Sequence, residues 1–255
     1  MNDADFDKKK VKDFQWKIIE PLLPGKITDC GVTARDNRLF VNALVWMLYA
    51  GAPWSMLPAS FGKANSVRKR FRRLAQKGVW QTISEAVAEP DWDWVMLDST
   101  VVRVHQHAAG QRKDNPADPA IGRSRGGLST KIHACTDALG NGVRLILTEG
   151  QAGDAPQTLP LLADLEPKMV IADTSYDSDA NREYCTSHQI VAVIPNRPNR
   201  LEPAPLDEEY YKDRNKIERF FCRMKKYRRL ATRYDKTALS YLSFLHIAMT
   251  LDWLR

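Results

Sequence analysis

Long apolar runs are missing from this sequence. None approaches the roughly 18 residues that a membrane span needs, so a bilayer-spanning chain is not expected. Cysteine is scarce too: Cys30, Cys135, Cys185 and Cys222 stand far apart with no C-x-x-C spacing. That speaks against a zinc site or a disulfide framework and fits a reducing cytoplasm. No stretch ends in the GK[ST] of a nucleotide-binding loop, which counts against ATP. Internal repeats and low-complexity tracts are absent. The opening "MNDADFDKKKVKDF" is charged throughout and does not read as a signal peptide.

Acidic residues are the minority charge, and what is present is basic. Against 31 Asp and Glu stand 38 Lys and Arg, for a net charge of +7 over 255 residues. That balance points to a polyanionic partner, nucleic acid before anionic membrane. The stretch "YYKDRNKIERFFCRMKKYRR", Tyr210 to Arg229, concentrates the imbalance: nine Lys or Arg and two carboxylates, Asp213 and Glu218. Either Glu218 forms i,i+4 pairs on a solvated helix, or it holds a divalent cation while its neighbours hold phosphates.

Up to about residue 90 the chain reads as helical. "FQWKIIEPLL" opens a short amphipathic helix, and "ARDNRLFVNALVWMLYAG" a stronger one ended by Gly51 and Pro53. Ser66 then serves as the expected N-cap of a basic helix. In it Val67, Phe71 and Leu74 share one face, while Arg68, Lys69, Arg70, Arg72, Arg73 and Lys77 lie over the rest of the circumference. Short helices with the last one basic make a helix-turn-helix-like layout. Arg68, Lys69, Arg72 and Arg73 are therefore candidate DNA contacts, or else this is a face that only keeps the helix soluble.

From Asp91 the period changes. "WVMLDSTVVRVH", "STKIHACTDALGNGVRLILTEG", "KMVIADTSY" and "IVAVIPN" are β-branched runs of strand length, the second with a tight turn at "ALGNG". Helical stretches, "APQTLPLLADL" and "DSDANREYCTSHQ", fall between them, and helices close the chain. The order predicts a mixed α/β sheet with helices packed on it.

Two strands are expected to end on a carboxylate, Asp98 after "WVML" and Asp173 after "MVIA". In neighbouring strands both would emerge at one edge, where open α/β sheets form sites. An Asp after a strand is also a common turn former. On a helix, Tyr211, Arg214, Glu218 and Lys225 fall within an arc of about 60°. Ile217, Phe220, Phe221 and Met224 form an adjacent apolar arc, and Lys212, Lys216, Arg219, Arg223 and Lys226 an outer basic face.

These residues carry a family resemblance. Tyr211-x2-Arg214-x3-Glu218-x6-Lys225 resembles the C-terminal signature of the IS5-like bacterial insertion-sequence transposases of the DDE type. "GAPWSMLPASFG", "RFRRLAQKGVW", "STVVRVHQHAAG", "IGRSRGGLSTKIHA" and "ATRYDK" are similar to that family in the same order. The resemblance implies an RNase H-like DDE catalytic domain over residues 91–255, preceded by a helical DNA-binding region over residues 1–90. The catalytic and metal-binding triad would be Asp98, Asp173 and Glu218, with Lys225, Arg214 and Tyr211 as accessory residues. Ser175 stands where the family often has Gly or Ala.

Three acids without a His or Cys cluster make a hard-oxygen site suited to two Mg²⁺ or Mn²⁺ ions. Such ions activate a water or a DNA 3′-hydroxyl and stabilise the leaving oxygen at phosphorus. Arg214 fits two roles equally, a phosphate contact or an i,i+4 partner of Glu218. Arg123 and Arg125, in the Gly-rich "IGRSRGGLSTK", are further DNA candidates. His105 and His107 have the spacing of two metal ligands on a strand, but no third ligand accompanies them. Asp154, Asp177 and Asp179 read as helix caps, with Asp154 the reserve member of the triad. Trp16, Trp46, Trp80 and Trp253 read as core.

The resemblance thus implies a transposase that binds the inverted-repeat ends of its element, cleaves there and joins the 3′ ends to target DNA. Its partner is double-stranded DNA, in a homodimer or larger assembly, in the bacterial cytoplasm at the nucleoid and away from membranes. The alternatives are a metal-dependent DNA nuclease without strand transfer and a catalytically silent DNA-binding regulator.

Overall fold

The computed structural model describes residues 6–109 and 120–255. In chain order come helices α1 (Asp13–Ile19), α2 (Asn37–Ala50), α3 (Ala64–Gln76) and α4 (Val79–Ala86). Strands β1 (Val95–Val104), β2 (Gly122–Ser124), β3 (Gly127–Thr136) and β4 (Gly142–Glu149) follow. Then helix and strand alternate: α5 (Thr158–Leu162), β5 (Met169–Ala172), α6 (Asp179–Ser187) and β6 (Val191–Val193). Helices α7 (Asn215–Lys225) and α8 (Ala238–Trp253) close the chain. Two compact units share these elements. One takes residues up to 88, those from 105 to 118, and 224–255; the other takes 89–104 and 119–223.

The first unit is helical. Its α8 is apolar all round, and Tyr241, Phe244, Leu245, Ile247, Ala248 and Met249 are buried, as expected of a helix enclosed by its neighbours. Phe244 stacks on Phe71 of α3 at 4.4 Å between ring centroids, and Phe71 lies 6.1 Å from Trp80 of α4. The Asp36 carboxylate accepts from the Leu39 amide to cap α2, which ends on Gly51 in the left-handed conformation.

Helix α3 carries the predicted faces. Val67, Phe71, Leu74 and Ala75 are buried, and Arg68, Lys69, Arg72 and Arg73 are exposed. Its start differs from expectation: the helix begins at Ala64, after Lys63, so Ser66 sits inside the first turn. Arg70 is not part of the basic face. Its guanidinium donates to Pro24 O and Asn37 Oδ1 and lies 4.2 Å from the Phe40 ring centroid, a packing role.

The second unit is built on one mixed sheet with the order β4-β3-β1-β5-β6. β3 runs antiparallel to β1 and β4, while β5 and β6 are parallel to β1. This is an RNase H-like arrangement, with β2 hairpinned onto the start of β3. The "ALGNG" turn joins β3 to β4. Asp137 organises it by accepting from the Leu139 and Asn141 amides at 3.1 and 2.7 Å. Val95, Leu97, Cys135, Val170 and Ala172 form one sheet face, packed with Leu161 and Leu162 of α5 and Cys185 of α6.

Candidate active site

Strand register brings the first two acids together. β1 and β5 pair in parallel with Leu97 opposite Ala172, so the next residues along each strand are Asp98 and Asp173. Asp173 directly follows β5 as expected. Asp98 does not end its strand: β1 continues to Val104, because the β-branched run "STVVRV" keeps pairing with β3 as far as Arg103 opposite Ser129. Only its parallel pairing with β5 stops short of Asp98.

Helix α7 delivers the third acid. Its residues Ile217, Phe220 and Phe221 are buried, and Glu218 lies on the exposed side. Two cations expected on an outer basic face instead tie α7 to the turn between β3 and β4. Lys216 Nζ donates to Ala138 O at 3.0 Å, and Arg223 Nη2 donates to Gly140 O at 2.6 Å. Gly140 has φ +81°, and a Cβ there would meet Lys216 Cβ at 2.9 Å, so only glycine permits this approach.

All three carboxylates meet one guanidinium. Arg214, in the 3₁₀ turn before α7, donates from Nη2 to Asp98 Oδ2 at 2.9 Å and from Nη1 to Glu218 Oε1 at 2.7 Å. The same Nη2 stands 3.8 Å from Asp173 Oδ2. Of the two sequence readings of Arg214, the structure shows the i,i+4 pair with Glu218, extended to both strand acids. Side-chain exposure falls from 57% at Glu218 through 34% at Asp173 to 11% at Asp98. Burial raises the Asp98 carboxyl above the usual range, although Arg214 and the Ser99 amide pull it down. Burial also works against the Arg214 charge, but the surrounding acids outweigh it and hold its pKa above normal.

Ser175, the departure in the sequence signature, acts on Asp173. Its backbone amide donates to Asp173 Oδ1 at 2.9 Å and its hydroxyl donates to the same oxygen, fixing the carboxylate from the turn that follows β5. The signal lay in the sequence as an Asp with a Ser two residues on, a local hydrogen-bonding turn. Tyr176 is fully buried, its hydroxyl has no hydrogen-bond partner among the described residues, and burial pushes its pKa far up.

Tyr211 is half-buried in the short helix Glu208–Tyr211, and its phenol is among the groups that hold the Arg214 pKa up. Arg123 and Arg125 are exposed on the β2–β3 hairpin, where Arg123 pairs with Leu128. That is six residues along β3 from Ala134, the partner of Asp98, or roughly 20 Å of strand. Lys225 is exposed at the end of α7. His105 and His107 do not share a strand: β1 ends at Val104 and His107 lies in a helical turn over Gln106–Ala109. Asp154 lies at a helix start but makes no cap hydrogen bond. It pairs with Lys131 Nζ at 3.1 Å and stands 3.4 Å from Nδ1 of the buried His133, a cluster the sequence did not disclose. Asp177 is buried between Arg182 and Arg200, and α6 is capped by Ser178, so Asp177 and Asp179 are not the caps expected. Trp16 and Trp80 are core, while Trp46 and Trp253 are half-buried.

The donor set suits a hard divalent cation, three carboxylates with no sulfur or imidazole among them. As they stand, no three acids, His or Cys among the described residues are arranged to hold one ion. The cation the three acids share is the Arg214 guanidinium.

A family profile described as the transposase DDE domain matches residues 93–253, and one described as transposase of the IS4/5 family matches residues 11–84. The chain belongs to the DDE transposases of the IS4/5 family. A protein assigned to insertion sequence element IS6501 of Brucella ovis is 40% identical over 130 residues, covering 50% of this chain and all of that protein. One assigned to element IS402 of Burkholderia cepacia is 31% identical over 149 residues, covering 54% of this chain and 65% of its own length. Among solved structures, the Mos1 transposase paired-end complex with left transposon end aligns over 88% of this chain and 77% of its own, at 13% identity and a TM-score of 0.28. That score is too low to bear on this transposase-family chain. No helix among its described residues is long and apolar enough to cross a membrane.

Proposed function

We propose that this chain binds the terminal inverted repeats of its own insertion sequence, cleaves the phosphodiester bonds there and transfers the freed 3′ ends to target DNA. The helical region over residues 1–90 serves DNA recognition and residues 91–255 carry the chemistry. The observation behind this reading is the convergence of Asp98, Asp173 and Glu218 on the one Arg214 guanidinium.

In this reading Asp98 and Asp173 are the principal ligands for Mg²⁺ or Mn²⁺, and Glu218 closes the second position. Bound there, the ions would activate the attacking oxygen and stabilise the leaving one. Asp98 is the rigid member, seated in a strand and mostly out of solvent, and Ser175 orients Asp173. Glu218 is the exposed one, with more than half of its side chain open to solvent on its helix. Arg214 must release the acids before they take metal, and a DNA phosphate offers its guanidinium an alternative bidentate partner. Arg68, Lys69, Arg72, Arg73, Arg123, Arg125 and Lys225 neutralise backbone charge along the DNA. Two element ends are processed together, so the working form is a homodimer or larger assembly on DNA.

The test is incubation with duplexes carrying the flanking inverted repeats. Cleavage and joined products appear with Mg²⁺ and vanish with chelator. Asp98→Asn, Asp173→Asn and Glu218→Gln each lower the rate by on the order of 10²-fold or more while end binding persists. Cleavage that survives chelator, or that Asp98→Asn leaves intact, overturns the proposal. Cleavage without joined products would make the chain a nuclease, and end binding with no cleavage a regulator.

A further inference from the structure

The helical unit contains a cavity of about 760 Å³ that the acid site does not use. Its walls combine two side-chain chemistries. Arg68 and Arg72, four residues apart on α3, line it together with Lys236 and the aromatic rings of Trp54 and Tyr234. Arg229 and Asp235 also contribute, but they are committed to each other: Arg229 Nε and Nη2 donate to the two Asp235 carboxylate oxygens at 3.1 and 2.8 Å. That pair cancels, leaving three cations to set the sign of the cavity.

Both rings are packed against neighbours. Trp54 packs 5.6 Å from Phe71 and 6.1 Å from Phe244, with the Arg229 guanidinium 5.4 Å from its centroid. Tyr234 is backed by His105 at 5.0 Å. Among the described residues, neither the Arg72 guanidinium nor the Lys236 ammonium makes an ion pair, and both side chains are exposed. Unpaired cations beside braced aromatic rings are the two elements of a site for unstacked nucleotides: phosphate on the cation, base on the ring. A duplex satisfies only the first, because its bases are stacked inside and offer no ring face.

We propose that this cavity binds a single-stranded stretch of DNA, one or two nucleotides long, with phosphate on Arg72 and Lys236 and a base on Tyr234. The inference rests on DNA being the substrate, but not on the chemistry of the three acids. It also gives Arg68 and Arg72 a different job from reading a duplex groove.

The probe is a fluorescein-labelled hexadeoxynucleotide with a central 2-aminopurine, added to the full chain in chelator. Wild type binds it and quenches the 2-aminopurine, and Asp98→Asn does the same. Arg72→Glu and Lys236→Glu each weaken binding about tenfold and flatten its dependence on salt. Tyr234→Leu weakens it about tenfold and abolishes the quench. Lys236 is exposed, so Lys236→Glu keeps the test valid if Tyr234→Leu fails to fold. Quenching that persists in Tyr234→Leu, affinity unchanged by Lys236→Glu, or loss of binding in Asp98→Asn overturns the proposal. So does a 12-bp duplex whose affinity depends on Tyr234 to the same degree. Wild type that binds this probe but fails to cleave element ends in Mg²⁺ would instead count against the catalytic reading alone.

Discussion

Replacing Arg214 by Ala removes the one cation that three acids share, and the cost follows from their burial. Asp98 and Arg214 are 2.9 Å apart with side-chain exposures of 11% and 22%. That lies between an exposed pair, worth roughly 0.2–1 kcal/mol, and a broken buried pair, about 3–5 kcal/mol, so about 2 kcal/mol is expected. Glu218 is 57% exposed and well screened, adding only about 0.4 kcal/mol. Asp173 at 3.8 Å adds a similar amount, for a total of about 3 kcal/mol at pH 7. The sign of the pH dependence is fixed. The Asp98 carboxyl is already raised, and losing Arg214, its largest downward influence, raises it further. A raised acid favours the folded state below its unfolded pKa and loses that contribution as pH rises through the folded value. The variant therefore falls further behind wild type as pH increases, and the gap narrows toward pH 4. Asp98→Asn behaves otherwise: it removes the buried charge and leaves Arg214 its other partners, so stability stays within about 1 kcal/mol of wild type. Urea unfolding of wild type, both single variants and the double variant at pH 7 and pH 4 measures this, with about 2 kcal/mol of coupling expected between the two sites at pH 7. An Arg214→Ala protein as stable as wild type at pH 7, or a deficit equal at both pH values, would refute the electrostatic account.

Tyr176→Phe removes a buried hydroxyl that has no partner, so thermal stability holds or rises by up to about 1 kcal/mol, whereas Tyr176→Ala costs about 3–5 kcal/mol. Gly140→Ala is strained by φ +81° and by contact with Lys216, and it lowers stability by about 1–3 kcal/mol in calorimetry. His133 is held neutral by burial, which lowers its pKa to about 4 against the pull of Asp154. Its contribution is therefore present above about pH 6.5 and lost as pH falls toward 4. NMR titration of the ring places the midpoint, and one near 6.5 would contradict the burial argument.

What the sequence disclosed, and what it withheld, divides by the range of the interaction. The faces of α3 follow from a period of 3.6 along thirteen residues, and Val67, Phe71 and Leu74 are buried as that period demands. Asp173 after β5 and the turn at Asp137–Asn141 are local in the same sense. The end of β1 was not legible, because the strand outlasts one neighbour while continuing against another, and pairing partners are not written in a strand's own residues. The outer basic face expected around α7 holds at Lys212, Arg219 and Lys226 but fails at Lys216 and Arg223, for a related reason. Helical periodicity says which residues point away from the apolar arc, but not that a hairpin turn lies there to accept from Lys216 and Arg223.

Arg214 shows where the two ranges meet. Its spacing from Glu218 allowed a local pair or a phosphate contact, and nothing within the helix decides between them. The partner that does decide is Asp98, 116 residues earlier, placed beside Asp173 by the pairing of Leu97 with Ala172. Once two strand acids stand side by side at that edge, their mutual repulsion needs a cation, and Arg214 is within reach of both. In the proposed function the same repulsion would draw divalent ions to the edge, and the local pair and the phosphate contact would then be successive partners of one guanidinium. Which partner Arg214 holds then depends on what else of positive charge the three acids are offered.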